Sequence, residues 1–150
     1  MNSILRTIVS VGAGLIAAFL LVILVEAFSA VVHPVPEGFS HTPEEMCRHV
    51  ANYPPWVLAA VIPMWGGTGF LSVWLTGKIG NVISVVIVSA LLLAAVVANI
   101  VMLPYPSWFT IASPLVVLFA VASAGRRTSA REPASEAVNN VENDVRPGIT

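Results

Sequence analysis

IVSVGAGLIAAFLLVILVEAFSAVV, residues Ile8–Val32, decides the fold: apart from Ser10 and Ser29 the run is apolar, and it holds a single charge, Glu26. A helix needs about 20 such residues to cross a hydrocarbon core of about 30 Å. Three further stretches meet the same requirement, Trp56–Thr76, Val82–Leu103 and Trp108–Ala124. The sequence therefore reads as an all-α bundle of four transmembrane helices.

Composition agrees with this. Charged residues make up 10% of the chain, against about 25% in ordinary soluble domains, and the mean hydropathy is +0.86. The net charge of −1 and the lack of a basic stripe give no reason to expect nucleic acid as a partner. The lone cysteine, Cys47, cannot form an internal disulfide. Arg6 and the Ala27-Phe28-Ser29 triplet resemble parts of a cleaved signal peptide. The apolar run between Thr7 and Glu26 exceeds the usual hydrophobic region of about 7–15 residues, so the first stretch reads as a retained span.

Orientation follows from the basic residues, which gather in cytoplasmic loops. Arg6 precedes the first span, Lys78 sits in the Gly77–Asn81 turn, and Arg126, Arg127 and Arg131 follow the fourth. With four spans these three sites fall on one side. The expected location is a bacterial inner membrane, with both termini cytoplasmic. Residues 33–55 and the Pro104-Tyr105-Pro106-Ser107 turn then lie outside. Tyr53, Trp56, Tyr105 and Trp108 cluster at the outer ends, where amphipathic rings favour the headgroup layer.

The outer segment carries its own local signals. Thr42 and Glu45 form a capping box around Pro43, which falls at the first helical position. A short helix over about 43–51 is expected, with Glu44–Arg48 and Glu45–His49 as i,i+4 pairs. After Gly125 the composition turns polar and charged. Residues 1–125 read as the transmembrane domain, and 126–150 as a disordered cytoplasmic tail that cannot bury enough apolar surface to order.

Lipid tails are as apolar as Leu, so membrane helices associate through small residues and interhelical hydrogen bonds. Ser10, Gly14 and Ala18 in the first span, Ala90, Ala94 and Ala98 in the third, and Gly66, Gly67 and Gly69 in the second are the expected seams. Pro63 and Pro114 interrupt the second and fourth spans, and Pro63 with its glycine-rich neighbours marks a candidate hinge.

Glu26 lies about six residues inside the outer end of its span, roughly 9 Å deep at 1.5 Å per residue. Intramembrane acids face the bundle interior or water and are functional-site candidates by default. Ser29 and His33 share its helical face, and depth counting brings Asn99 and Trp65 to a comparable level. This group is the candidate polar site. It reads either as interhelical glue between Glu26 and Asn99, or as a proton- or cation-accepting path through Glu26 and His33. His33, His41 and His49, with Glu45 and Cys47, match none of the recognised metal-ligand spacings. No metal, cofactor or catalytic residue is assigned, since no nucleophile motif is present.

The segments His33-Pro34-Val35-Pro36-Glu37-Gly38 and Met102-Leu103-Pro104-Tyr105-Pro106-Ser107-Trp108-Phe109, with Gly67-Thr68 between them, resemble a group of small uncharacterised bacterial four-helix inner-membrane proteins. The resemblance covers roughly residues 15–125. It implies the location and the bundle, and no activity. Members tend to carry a histidine in the second helix and an acid in the fourth, where this chain has Met64-Trp65 and Ser113. The leading functional expectation is a non-enzymatic accessory subunit that binds the bilayer and a membrane-protein partner or a second copy through helix contacts. The alternative is a small oligomeric transporter or channel using Glu26.

The orientation is directly testable because Cys47 is the only thiol. A membrane-impermeant maleimide labels Cys47 in intact spheroplasts, whereas Val145→Cys in a Cys47→Ser background is labelled only after lysis. Labelling of the tail site in unbroken cells overturns the assignment.

Overall fold

The computed structural model describes residues 3–129. Five helices follow in order: α1 Ser3–Val32, α2 Pro43–Ala51, α3 Pro55–Ile79, α4 Val82–Met102 and α5 Ser107–Ser129. Four of them, α1, α3, α4 and α5, are long and apolar enough to cross a membrane. The chain is a multi-pass membrane protein. We call the end carrying α2 and the 103–106 turn the cap end, and the opposite end the base.

The helix bounds match the apolar stretches to within a few residues, except that α1 starts earlier and α5 runs on. α5 continues through Arg126 and Arg127 to Ser129, so the span does not stop at the change in composition after Gly125. The guanidinium of Arg127 lies over the Phe70 ring at 5.2 Å, which anchors this last turn to α3. The remainder of the expected tail, residues 130–150, lies outside the described residues.

α3 is the centre of the bundle. It packs on all three other spans, most extensively on α5 and α1, while the backbones of α1 and α5 do not approach each other closely. Accordingly 44% of its most apolar window is buried, against 6% for α4. Pro63 lies within α3 without ending it.

Close approach explains these pairings. A side chain on Gly14 would collide with Thr76 Oγ1 of α3. On the other side of α3, a Cβ on Gly66 would lie 2.8 Å from Val116 Cγ1, and one on Gly69 would lie 3.2 Å from Val121 Cγ1. Gly67 has open space around it. The Ser10, Gly14, Ala18 strip is thus a seam, continued by buried Val25 and Ser29. The alanine strip of α4 is not. Ala90, Ala94 and Ala98 are exposed, because α4 turns Ser84 and Val88 towards the core instead.

The base is tied by a polar knot. Ser10 and Ser84 hydroxyls hydrogen-bond at 2.8 Å, and Ser84 Oγ lies 3.0 Å from Asn81 Oδ1. Asn81 also accepts from the Ser84 N–H at 3.0 Å, capping α4, and its Nδ2 donates to Thr7 Oγ1 at 3.0 Å. Arg6 Nε donates to the Ile79 carbonyl at 2.9 Å, and Lys78 lies 4.6 Å from the Trp74 ring centroid. Four cations, Arg6, Lys78, Arg126 and Arg127, gather at this end.

Replacing Gly14 by Val overpacks the α1–α3 seam, at a penalty of about 1–3 kcal/mol. Gly12, which has nothing within 4 Å, tolerates Ala and serves as the control. Detergent-titrated unfolding followed by circular dichroism measures both. Equal midpoints for the two variants contradict the seam.

Candidate functional site

The polar residues at the cap end fall into two groups on one flank of α1. The first lines a cleft of about 170 Å³, open along one side, bounded by α1, α3, α4 and α5. Glu26 and Val22 contribute from α1, Trp65 and Thr68 from α3, and Asn99 and Val96 from α4. Thr68 Oγ1 satisfies itself by donating to the Met64 carbonyl at 3.0 Å. Trp65 meets Phe109 edge-on at 5.5 Å between centroids. Asn99 Oδ1 is buried with no hydrogen-bond partner, and Glu26 is exposed on the lateral surface. The two share a cleft, yet no hydrogen bond joins the Asn99 amide to Glu26, so the glue between them is not made within the chain.

The second group is a cluster of rings. His33, just beyond α1, stacks on His49 of α2, with centroids 4.3 Å apart and planes 21° from parallel. Tyr53 packs on His33 at 4.5 Å and on His49 at 5.5 Å. Phe39 completes the cluster, 5.7 Å from His49 and 5.0 Å from His41. The 34–42 segment doubles back to deliver Phe39. It does so with two residues in the left-handed region, Gly38 at φ +79° and His41 at φ +58°. Glycine suits that region, and a histidine there is strained.

Local hydrogen bonds explain the start of α2. Thr42 Oγ1 accepts from the Glu45 N–H at 3.3 Å, with Pro43 at the first helical position. The Glu45 carboxylate reaches back beyond Thr42 to the Ser40 N–H at 2.6 Å and the Ser40 hydroxyl at 2.7 Å. These two bonds hold its carboxyl below the usual range, with Arg48 adding to the effect. The ion pair formed is Arg48–Glu45 at 3.6 Å, at i,i+3. It replaces the i,i+4 pairs expected from spacing, because Glu45 is committed to Ser40.

Ser29 joins the two groups. It is buried on α1 and lies near the Tyr53 side chain, whose titration it influences. Burial pushes the Tyr53 phenol above its ordinary value, and the Glu26 carboxylate acts in the same direction. Burial also pushes Tyr105 up to about 12, helped by Tyr53 and Glu26. The expected residues Glu26, Trp65 and Asn99 therefore meet in the cleft, while Ser29 and His33 belong with Tyr53. Sequence reading named His49 without pairing it with His33, and it missed Phe39 and the inward turn of both tyrosines. Trp56 and Trp108 do remain exposed at the cap end, 58% and 43%, as interfacial anchors should.

Among the described residues no three of His, Cys, Asp and Glu converge to hold a metal ion. No family model, curated protein or solved structure matches the chain.

The two tyrosines offer a direct check of this geometry. Alkaline titration followed at tyrosinate wavelengths is displaced above pH 10, the ordinary tyrosine value, for both rings, with a late phase near 12 that Tyr105→Phe removes. A full transition centred at 10 shows that both rings face water.

Proposed function

We propose that the protein is a non-enzymatic accessory subunit of the bacterial inner membrane that docks a partner transmembrane helix in the groove between α1 and α4. One observation carries this reading: Glu26 and the unpartnered Asn99 Oδ1 face a cleft open to the side of the bundle. Polar groups in hydrocarbon are expensive and find partners. Both are acceptors, so the complementary helix carries a donor at that depth, a Lys, Arg, Ser, Thr or Trp side chain.

The alanines of α4 support the same surface. At about 100° per residue Ala98 is the alanine of the strip nearest to Ala95, which lines the cleft, and Ala94 lies one turn along from it. They are exposed, and small residues let a second backbone approach closely. The cations gathered at the base support cytoplasmic termini, and the 33–38 and 102–109 segments support a bacterial inner-membrane setting through the resemblance they carry.

A second reading, an oligomeric proton or cation transporter using Glu26, draws on one feature. His33 packs on Tyr53, and the Glu26 carboxylate acts on that phenol.

A photo-crosslinking residue at Ala98 captures a membrane-protein partner in cells, whereas one at Leu118, exposed on α5, captures lipid. Glu26→Leu with Asn99→Leu weakens capture about threefold per lost bond, from about 0.6 kcal/mol each. Equal capture at both positions overturns the docking reading. A reconstituted proton flux that Glu26→Gln abolishes establishes the transporter instead.

A further inference from the structure

α2 approaches no other helix closely enough for backbone packing, so the 34–52 segment is fastened to the bundle by side chains. Of its nine helical residues only Val50 is fully buried. The remaining fastening is the ring cluster, and its tightest contact is the His33–His49 stack at 4.3 Å. A joint made of two imidazoles differs from one made of two phenyl rings in a single respect: both rings take up protons.

We propose that the His33–His49 stack is an acid-released joint, which holds the 34–52 cap against the end of α1 when neutral and lets it go when protonated. Three features of the geometry carry this. First, two imidazolium charges in stacked rings repel directly, at a separation where screening by salt is small. Second, His33 Nε2 is buried with no hydrogen-bond partner. A neutral imidazole tolerates that as an unused acceptor, while an imidazolium must donate there and finds nothing to receive the proton. Third, α2 has little other attachment that would hold it once the rings part.

The charged neighbours do not rescue the protonated pair. Arg48 of α2 lines the same pocket, together with Glu37 and Glu45, and adds a third positive charge. Glu45 is already engaged by Ser40 and Arg48, and Glu37 is exposed to solvent. His41 reaches the cluster only through Phe39. Tyr53 and Tyr105 are neutral across this range, their phenols pushed up by burial, and the Glu26 carboxylate acts on both in the same direction.

The sign is consistent. Burial, and then His33, lower the His49 value below 6.5, so the released cap binds protons more readily than the docked one. Docking is at full strength above about pH 6.5, weakens as pH falls below it, and levels off beneath the lowered value.

Cys47 lies on α2 and is the only thiol, so a nitroxide attached there reports cap motion in the full chain reconstituted in lipid nanodiscs. The spectrum at pH 7.5 shows an immobilised label, and at pH 5 the mobile component grows several-fold and reversibly. His33→Phe with His49→Phe keeps aromatic stacking and removes the response, and His49→Phe alone reduces it by at least half. His41→Phe leaves it intact. An identical spectrum at both pH values overturns the proposal, as does a response that survives the double replacement or disappears with His41→Phe.

Discussion

Hydrocarbon gives apolar helices no reason to associate, so this bundle depends on the places where backbones come close and hydroxyls meet. The decisive one is the contact of α1 with α3 and α4 at the base. Gly14 admits Thr76, and Ser10, Ser84, Asn81 and Thr7 close a hydrogen-bonded knot behind it. Gly80 has a related role, since a side chain there would strike the Ser10 and Ser84 hydroxyls. Each bond is worth only about 0.6 kcal/mol in a membrane. Their concentration within two turns is what fixes the axis of α1.

That knot also creates the cleft. The polar ties between α1 and α4 lie at the base, and nothing comparable joins them at the cap half. There Val22 and Glu26 face Asn99 and Leu92 across an opening of about 170 Å³. α5 contributes only Val117 to its wall and does not close it, because the α1 and α5 backbones do not pack on each other. The lateral exposure of Glu26 is thus a consequence of packing at the far end of its own helix.

The spans, the capping of α2 and the glycine seams were legible in the sequence because each rests on local chemistry. Twenty apolar residues need a helix, Thr42-Pro43 starts one, and Gly14 is small wherever it lies. The errors arose where the answer depended on which helix is the neighbour. Ala90, Ala94 and Ala98 have the same spacing as the α1 seam, but spacing does not say which flank of α4 meets α3. Tyr53 and Tyr105 have the composition of interfacial anchors, and only the folded 34–42 segment reveals that Tyr53 has two imidazoles to pack on. Glu26 and Asn99 line one cleft, while the absence of a bond between them is a matter of ångströms that depth counting does not resolve.

The same packing locates the part of the molecule able to move. Pro63 and the Trp65–Gly69 run suggest a hinge in α3, yet Gly66 and Gly69 are occupied by Val116, Val117 and Val121 of α5. A helix wedged in this way on one face, and covered by α1 on another, has little freedom to bend. The cap-end turns of α1 are different. Beyond Ala18 only Val25 and Ser29 are buried, and the end is secured by the packing of His33 on His49 and Tyr53. Glu26, Ser29 and His33 lie on one flank of those turns, at intervals of three and four. A displacement that parts the rings therefore carries Glu26 with it, which places the cleft and the cap under the control of one short segment of helix.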